Sequence, residues 1–230
     1  MMTTIRAVPV GIGHYLPERV VPNSEFEKMV ETSDEWIRSR SGIERRHFAA
    51  EGQLTSHLAI EAAKDALADA GLQPGDIDAL VLATSTPDQT FPSTATKVQA
   101  ALGMGGGFAF DIQAVCAGFI FALANANALI LSGQAKRVMI IGAETFSRIL
   151  NWEDRTTCVL FGDGAGAVVL EASENPGILS THLHADGDYA AMLQVPDGVS
   201  KGYDKTRSNA AFVEMSGAEV FKMAVNTLGD

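Results

Sequence analysis

The chain has 230 residues, 47% of them hydrophobic, enough for a substantial buried core and incompatible with a disordered polypeptide. A formal charge of −11 argues against a general nucleic-acid surface, because backbone binding needs a clustered positive field. Two cysteines, Cys116 and Cys158, are too few for a disulfide framework or a cysteine-based zinc site, and neither a signal core nor a membrane-length apolar run occurs, so reduced thiols and a cytoplasmic location are expected.

In chain order, Arg6 to Ile12 reads as a first strand, which Gly11, Gly13 and Pro17 break into a loop. Asn23-Ser24 ahead of Glu25 to Val30 predicts a capped helix. Thr32 or Ser33 caps a second, short helix bearing Trp36. Beside it fall Arg38, Arg40, Arg45 and Arg46, which serve either a solvated face or an anionic ligand. Leu58, Ala59, Ala62, Ala66 and Ala70 recur at helical spacing and stop at Gly71. Pro74-Gly75-Asp76 is a turn, Ile77 to Thr84 an apolar strand, and Ser93 to Leu102 a helix ended by the Gly103 to Gly107 run.

The stretch from Phe108 to Leu131 organises the rest. It opens as a strand, passes Asp111 and Gln113, turns through small residues, and becomes an apolar helix with only Asn125 and Asn127 interrupting it. That pattern predicts a helix surrounded by protein. Cys116 stands at its start, where free amides favour a thiolate and small neighbours leave room for a close approach. It reads as a candidate nucleophile, or else as a cysteine packed like a small hydrophobe.

Arg137 to Gly142 is a further strand, and Val159 to Leu170 contains Phe161-Gly-Asp-Gly-Ala-Gly166. Neither this run nor Gly105-Gly-Gly107 has dinucleotide-loop spacing, and no phosphate-loop lysine follows either. Past a linker-like turn at 172–176, a new strand is expected from Gly177 to His184, then a long surface excursion from Asp186 to Ala210. A helix follows from Met215 to Leu228, with Val220, Phe221, Ala224 and Leu228 on one side. Alternating strands and helices argue for an α/β fold with mostly parallel, buried strands in a layered arrangement. His182 and His184 alternate on the expected strand, but no third ligand is evident and no metal is assigned.

These residues resemble the β-ketoacyl-acyl-carrier-protein synthase III family, the initiating condensing enzymes of bacterial fatty-acid synthesis in the thiolase-like superfamily. The resemblance rests on Thr32-Ser-Asp-Glu-Trp-Ile37, Ser41-Gly-Ile-Glu-Arg-Arg-His47, Phe91-Pro-Ser93, Ala109-Phe-Asp-Ile-Gln-Ala-Val-Cys-Ala-Gly-Phe119, Phe161-Gly-Asp-Gly-Ala-Gly-Ala167 and Ser180-Thr-His-Leu-His-Ala-Asp-Gly187. It implies a layered αβαβα thiolase-like fold of two pseudo-repeated halves, with residues 1–172 forming the half that carries the nucleophile and 173–230 beginning an incomplete second half.

The resemblance further implies that Cys116 accepts an acetyl group from acetyl-CoA as a thioester, which malonyl-acyl-carrier protein then attacks after losing carbon dioxide. Trp36 and Arg155 would clasp the adenine ring, Arg40 would meet CoA phosphate, and Thr32 and Phe221 would complete the CoA contacts. Phe91 would line the acyl pocket of a neighbour in a homodimer, and Phe146 would lie near that pocket and favour short starters. No cofactor, nucleic acid or membrane is implied, acetyl-CoA being a substrate.

From the residues alone, the favoured readings are a buried anchor for Trp36 and surface ion pairs for Arg40 and Arg155, and Phe91-Pro92 is equally plain packing. Arg45 and Arg46 are candidates for docking the acidic carrier protein. Ala218 stands where relatives often carry asparagine. The family's catalytic histidine and asparagine blocks would fall after Asp230, and none of the five histidines present occupies such a block, so a piece of a longer enzyme is expected. The alternatives are a related condensing enzyme that takes longer or branched starters or serves secondary metabolism, and a non-catalytic CoA-binding or dimerising fragment.

Overall fold

The computed structural model describes residues 4–202 and 211–229. The elements in order are β1 (Arg6–Tyr15), β2 (Arg19–Pro22), α1 (Asn23–Phe26), α2 (Asp34–Ser41), β3 (Arg45–Phe48), α3 (Thr55–Ala70), β4 (Ala79–Ala83), α4 (Thr94–Leu102), β5 (Phe108–Ile112), α5 (Gly118–Leu131), β6 (Arg137–Thr145), β7 (Asp163–Ser173), β8 (Leu193–Gln194), β9 (Glu214–Met215) and α6 (Gly217–Gly229). They group into two compact units that interleave along the chain: residues 1–19, 47–145 and 163–183, and residues 20–46, 146–162 and 184–230. The pseudo-repeat division at residue 172 follows sequence order, and the compact units cut across it.

The first unit is built on a five-stranded sheet in the order β1-β7-β6-β4-β5. Both neighbours of β4 run parallel to it, whereas β6 with β7 and β7 with β1 are antiparallel. The expectation of mostly parallel strands is therefore corrected to a mixed sheet. β6 leads to β7 through residues 146–162, with no crossover helix of the kind that keeps strands parallel.

Strand alternation divides the core between the two faces. Leu80, Leu82, Met139, Ile141 and Val169 point to one face, with the alanines of α3 and Val98 of α4. Ala79, Val81, Val138, Ile140 and Leu170 point to the other, with Ala122, Ala126 and Ile130 of α5. The described residues thus supply three layers, helices on both faces of one sheet.

Helix ends match the sequence signals. Ser93 Oγ accepts from Thr96 N at the start of α4, and Gly71 and Gly103 close α3 and α4 in the left-handed region at φ 66 and 72. Other expectations are corrected. Gly11 and Gly13 do not break β1, which continues to Tyr15, because they let α3 lie on the strand. A Cβ at Gly11 would stand 2.6 Å from Ala70 Cβ, and one at Gly13 would meet the backbone of Ala62 and Ala66.

The capped helix expected over Glu25 to Val30 shrinks to the single turn α1, because Asn23 turns its side chain to Asp34 and Ile43 and caps nothing. No strand forms over Gly177 to His184. That segment touches the free edge of β1 through one backbone bond, Ile178 N to Ala7 O at 2.9 Å, which does not extend into a ladder.

Candidate active site

The elbow that bears Cys116 lies in the first unit. β5 ends at Ile112 beside Ala83 of β4, and Thr84 N donates to Ile112 O at 3.1 Å, so the chain leaves the sheet at the C-terminal end of its parallel strands. Open α/β sheets bind their ligands at that edge. A single 3-10 turn, Val115–Ala117, then feeds α5. Val115 adopts φ 46, the one non-glycine residue at positive φ among those described. This sharp turn leaves Cys116 exposed just ahead of a 14-residue helix whose first amides have no side-chain cap.

The carboxylate of Asp111, on β5, accepts from Thr94 N and Ala95 N at 2.7 Å each. It therefore holds the start of α4, and its role is structural. Near the same strand ends the half-buried Glu144 accepts from Ser85 N at 2.7 Å and from Thr86 Oγ1 at 2.5 Å. Burial pushes its carboxyl upward against the lowering pull of these hydrogen bonds. The loop so fixed carries Phe91, which is 81% exposed. Sequence reading missed Glu144, since a lone glutamate at a strand end carries no motif.

α5 does not meet the expectation of cover on every side. Its buried stripe is Gly118, Ala122, Ala126 and Ile130, while Ile120 and Leu131 remain exposed. In the described residues the sheet covers one face of the helix, and one face is what its alanines fit.

The second unit brings Thr32, Trp36, Arg40 and Arg155 together. Ser33 caps α2 by accepting from Trp36 N at 3.1 Å, which fixes the indole at the first turn. Arg40, one turn on, holds its guanidinium carbon 4.9 Å from the indole centroid, and Arg155 holds its own at 5.4 Å. Arg155 Nη1 also donates to Glu31 O at 2.8 Å. Next to Glu31, Thr32 Oγ1 is buried with no hydrogen-bond partner among the described residues, an orphan that a ligand's polar group would satisfy. The solvated-face reading of the arginines holds for Arg38, which pairs with Glu44 at 2.8 Å.

A ring sandwiched between Trp36 and Arg155 needs about 7 Å, two stacking distances of about 3.5 Å. At 5.4 Å the pair leaves no room for a ring between them unless Arg155 swings outward.

Phe146 packs against Phe161, ring centroids 4.6 Å apart. Phe221 is 72% exposed and does not share the covered side of α6, where Val220, Met223 and Ala224 are half-buried; the side chain of Leu228 lies outside the described residues, as do residues 203–210 of the surface excursion. Arg46 is buried, which removes it from any docking surface.

Cys158 is also buried, and loss of hydration pushes its thiol up to about 11, with Asp154 adding to the effect and Arg46 opposing it. It is unsuited to nucleophilic attack. The histidines have local duties. His57 Nδ1 accepts from Leu54 N at the head of α3, His47 Nδ1 lies 2.5 Å from Pro17 O, and His182 Nε2 lies 3.2 Å from Ser180 Oγ. Gly164 and Gly166 lie within β7, paired with β6, so the run from Asp163 to Gly166 forms strand and not a phosphate loop.

Comparison with known proteins bears on the whole chain. A sequence model of 3-oxoacyl-[acyl-carrier-protein (ACP)] synthase III matches residues 110–187, the span holding the elbow. A β-ketoacyl-[acyl-carrier-protein] synthase III of Jannaschia sp. (strain CCS1) is 65% identical over 232 residues, covering 97% of this chain and 70% of the relative. The crystal structure of 3-oxoacyl-[acyl-carrier-protein] synthase III from Aquifex aeolicus VF5 superposes with a TM-score of 0.86 at 46% identity, covering 94% of this chain and 67% of that one. The priming β-ketosynthase of the R1128 polyketide pathway gives a TM-score of 0.92 at 30% identity, covering 97% and 67%.

Proposed function

The chain belongs to the β-ketoacyl-[acyl-carrier-protein] synthase III family of thiolase-like condensing enzymes, and on that premise we propose that it joins acetyl-CoA to malonyl-acyl-carrier protein through a thioester on Cys116. The observation that carries the reading is the exposed cysteine on a strained turn between a parallel strand and an uncapped helix start.

In the first half-reaction the Cys116 thiolate attacks the acetyl carbonyl. The carbon–sulfur bond to CoA breaks, and CoA leaves as a thiolate that takes up a proton. The amide of Cys116 and the first amides of α5 are the donors that would hold the oxyanion. In the second, malonyl-carrier protein loses carbon dioxide, the resulting enolate carbon attacks the thioester carbonyl, and Cys116 is released as thiolate with acetoacetyl-carrier protein formed. That step needs polar donors for the enolate, and the histidine and asparagine blocks that serve relatives match no position among these 230 residues.

Trp36, Arg155, Arg40 and Thr32 are the binding residues for the nucleotide end of CoA. Indole face, guanidinium plane and a second cation suit an adenine ring and its phosphates. Phe91, so exposed, suits insertion into a neighbouring subunit's acyl pocket, in keeping with a homodimer as the working form, and the cytoplasm is its proposed location. Phe146 packed on Phe161 narrows the space for long starters. CoA is substrate in this scheme, and no cofactor takes part.

The structural likeness to a polyketide priming ketosynthase favours a second reading, a related condensing enzyme that takes longer or branched starters or serves secondary metabolism. Product analysis with malonyl-carrier protein separates the two. Acetoacetyl-carrier protein formed from acetyl-CoA in preference to longer acyl-CoAs supports the first reading. Preference for the longer donors supports the second, and acylation without carbon–carbon bond formation overturns both.

A further inference from the structure

Arg46 and Asn23 are buried in the second unit, 6% and 1% exposed. A buried guanidinium is costly unless its N–H groups reach acceptors. Nη1 donates to Asn23 Oδ1 at 2.8 Å and to Val21 O at 3.3 Å, and Nη2 donates to Val159 O at 2.5 Å. The guanidinium also covers the Phe26 ring, with its carbon 4.4 Å from the centroid. Nε has no acceptor among the described residues, so the buried fork is satisfied only through Nη1 and Nη2.

The partners of this hub explain its placement. Asn23 Nδ2 donates to Asp34 Oδ1 and to Ile43 O, both at 2.8 Å. Asp34 opens α2, the helix that carries Trp36 and Arg40, and Ile43 follows its Gly42 cap. On the other side, Val159 adjoins the turn that holds Arg155, in which Thr157 N and Cys158 N donate to Asp154 O at 3.2 and 3.0 Å. One planar fork therefore ties both ends of α2, through Asn23, to the segment carrying Arg155. A lysine ammonium on a mobile stem lacks the fork to hold these positions at once.

We infer that Arg46, with Asn23, is a positioning residue for the nucleotide clamp: it holds α2 and the segment carrying Arg155 in register, so that Trp36 keeps its place while the Arg155 side chain moves out for the ring, and it thereby sets the affinity for acyl-CoA without touching the ligand. This rests on the reading that Trp36 and Arg155 hold the nucleotide.

The test compares self-acylation of Cys116 by acetyl-CoA with that by the S-acetyl thioester of N-acetylcysteamine, which keeps the reactive end and lacks the nucleotide. The readout is the ratio of kcat/KM for the two donors. Arg46→Lys lowers this ratio about tenfold through KM for acetyl-CoA, and Asn23→Ser, which leaves Arg46 its two carbonyl acceptors, lowers it in the same direction. Thermal melts accompany each variant. Equal losses with both donors in both variants would make the hub a general stability element and overturn the inference. Trp36→Ala guards the premise: a ratio unchanged in that variant overturns the clamp itself, whereas a fall in Trp36→Ala with no fall in Arg46→Lys or Asn23→Ser overturns the hub alone.

Discussion

At φ 46, Val115 holds a backbone conformation that costs a β-branched residue about 1–3 kcal/mol. It is half exposed and gains little from burial in return, so the strain belongs to the elbow that presents Cys116. Val115→Gly is expected to raise stability by about 1 kcal/mol in thermal melts, after allowance for the looser unfolded chain. It is also expected to slow Cys116 acylation, because a relaxed turn no longer fixes the sulfur. Sequence showed the cysteine at a helix start and was silent on the strain, since valine is the last residue that propensity would place there.

The second thiol makes a separate prediction at the same scale. The fold keeps Cys158 protonated up to about 11, while an unfolded chain releases that proton near the ordinary value of 9.0. The unfolded state is favoured as its thiol ionises, so this contribution to stability is present in full below about pH 9 and is lost as pH rises towards 11. Unfolding titrations should show the decline, and Cys158→Ala should flatten it over that window.

Among the elements, α3 and β1 were legible in different ways. The helix was evident from its alanine spacing. The two glycines of β1 looked like strand breakers because sequence shows backbone freedom but not the neighbour that demands it. In the structure they are the sites where α3 rests on the strand, and an added Cβ at Gly13 would overlap helix backbone that cannot rotate away. Gly13→Ala should therefore cost about 3 kcal/mol, read as a fall in the unfolding midpoint, whereas Gly75→Ala, with open space around it, should change stability little.

The same reasoning accounts for the mixed sheet. Apolar runs identify buried strands but carry no direction, and β7 reads alike in either orientation. α5 was over-read for a related reason, because an apolar composition does not say how many of its sides are covered.

Across the whole molecule, the α/β class, most element boundaries and the place of Cys116 at a helix start could be read from pattern, since each leaves a periodic or motif-level trace. The proposed clamp could be read only in part. Trp36, Arg40 and Arg155 were named through the family resemblance, while the Arg46–Asn23 hub was hidden: Asn23 resembled a helix cap and Arg46 a surface cation. Side chains that serve the tertiary structure by hydrogen bonding to distant carbonyls leave no local spacing to find.

The central claim is that Cys116 is the acyl-carrying nucleophile. Mass spectrometry of the protein after exposure to acetyl-CoA, with peptide mapping, tests it most directly. One acetyl group is expected, on the peptide containing Cys116, and none in Cys116→Ala. Acetylation that persists in Cys116→Ala, or that maps to Cys158 in the native protein, would contradict it.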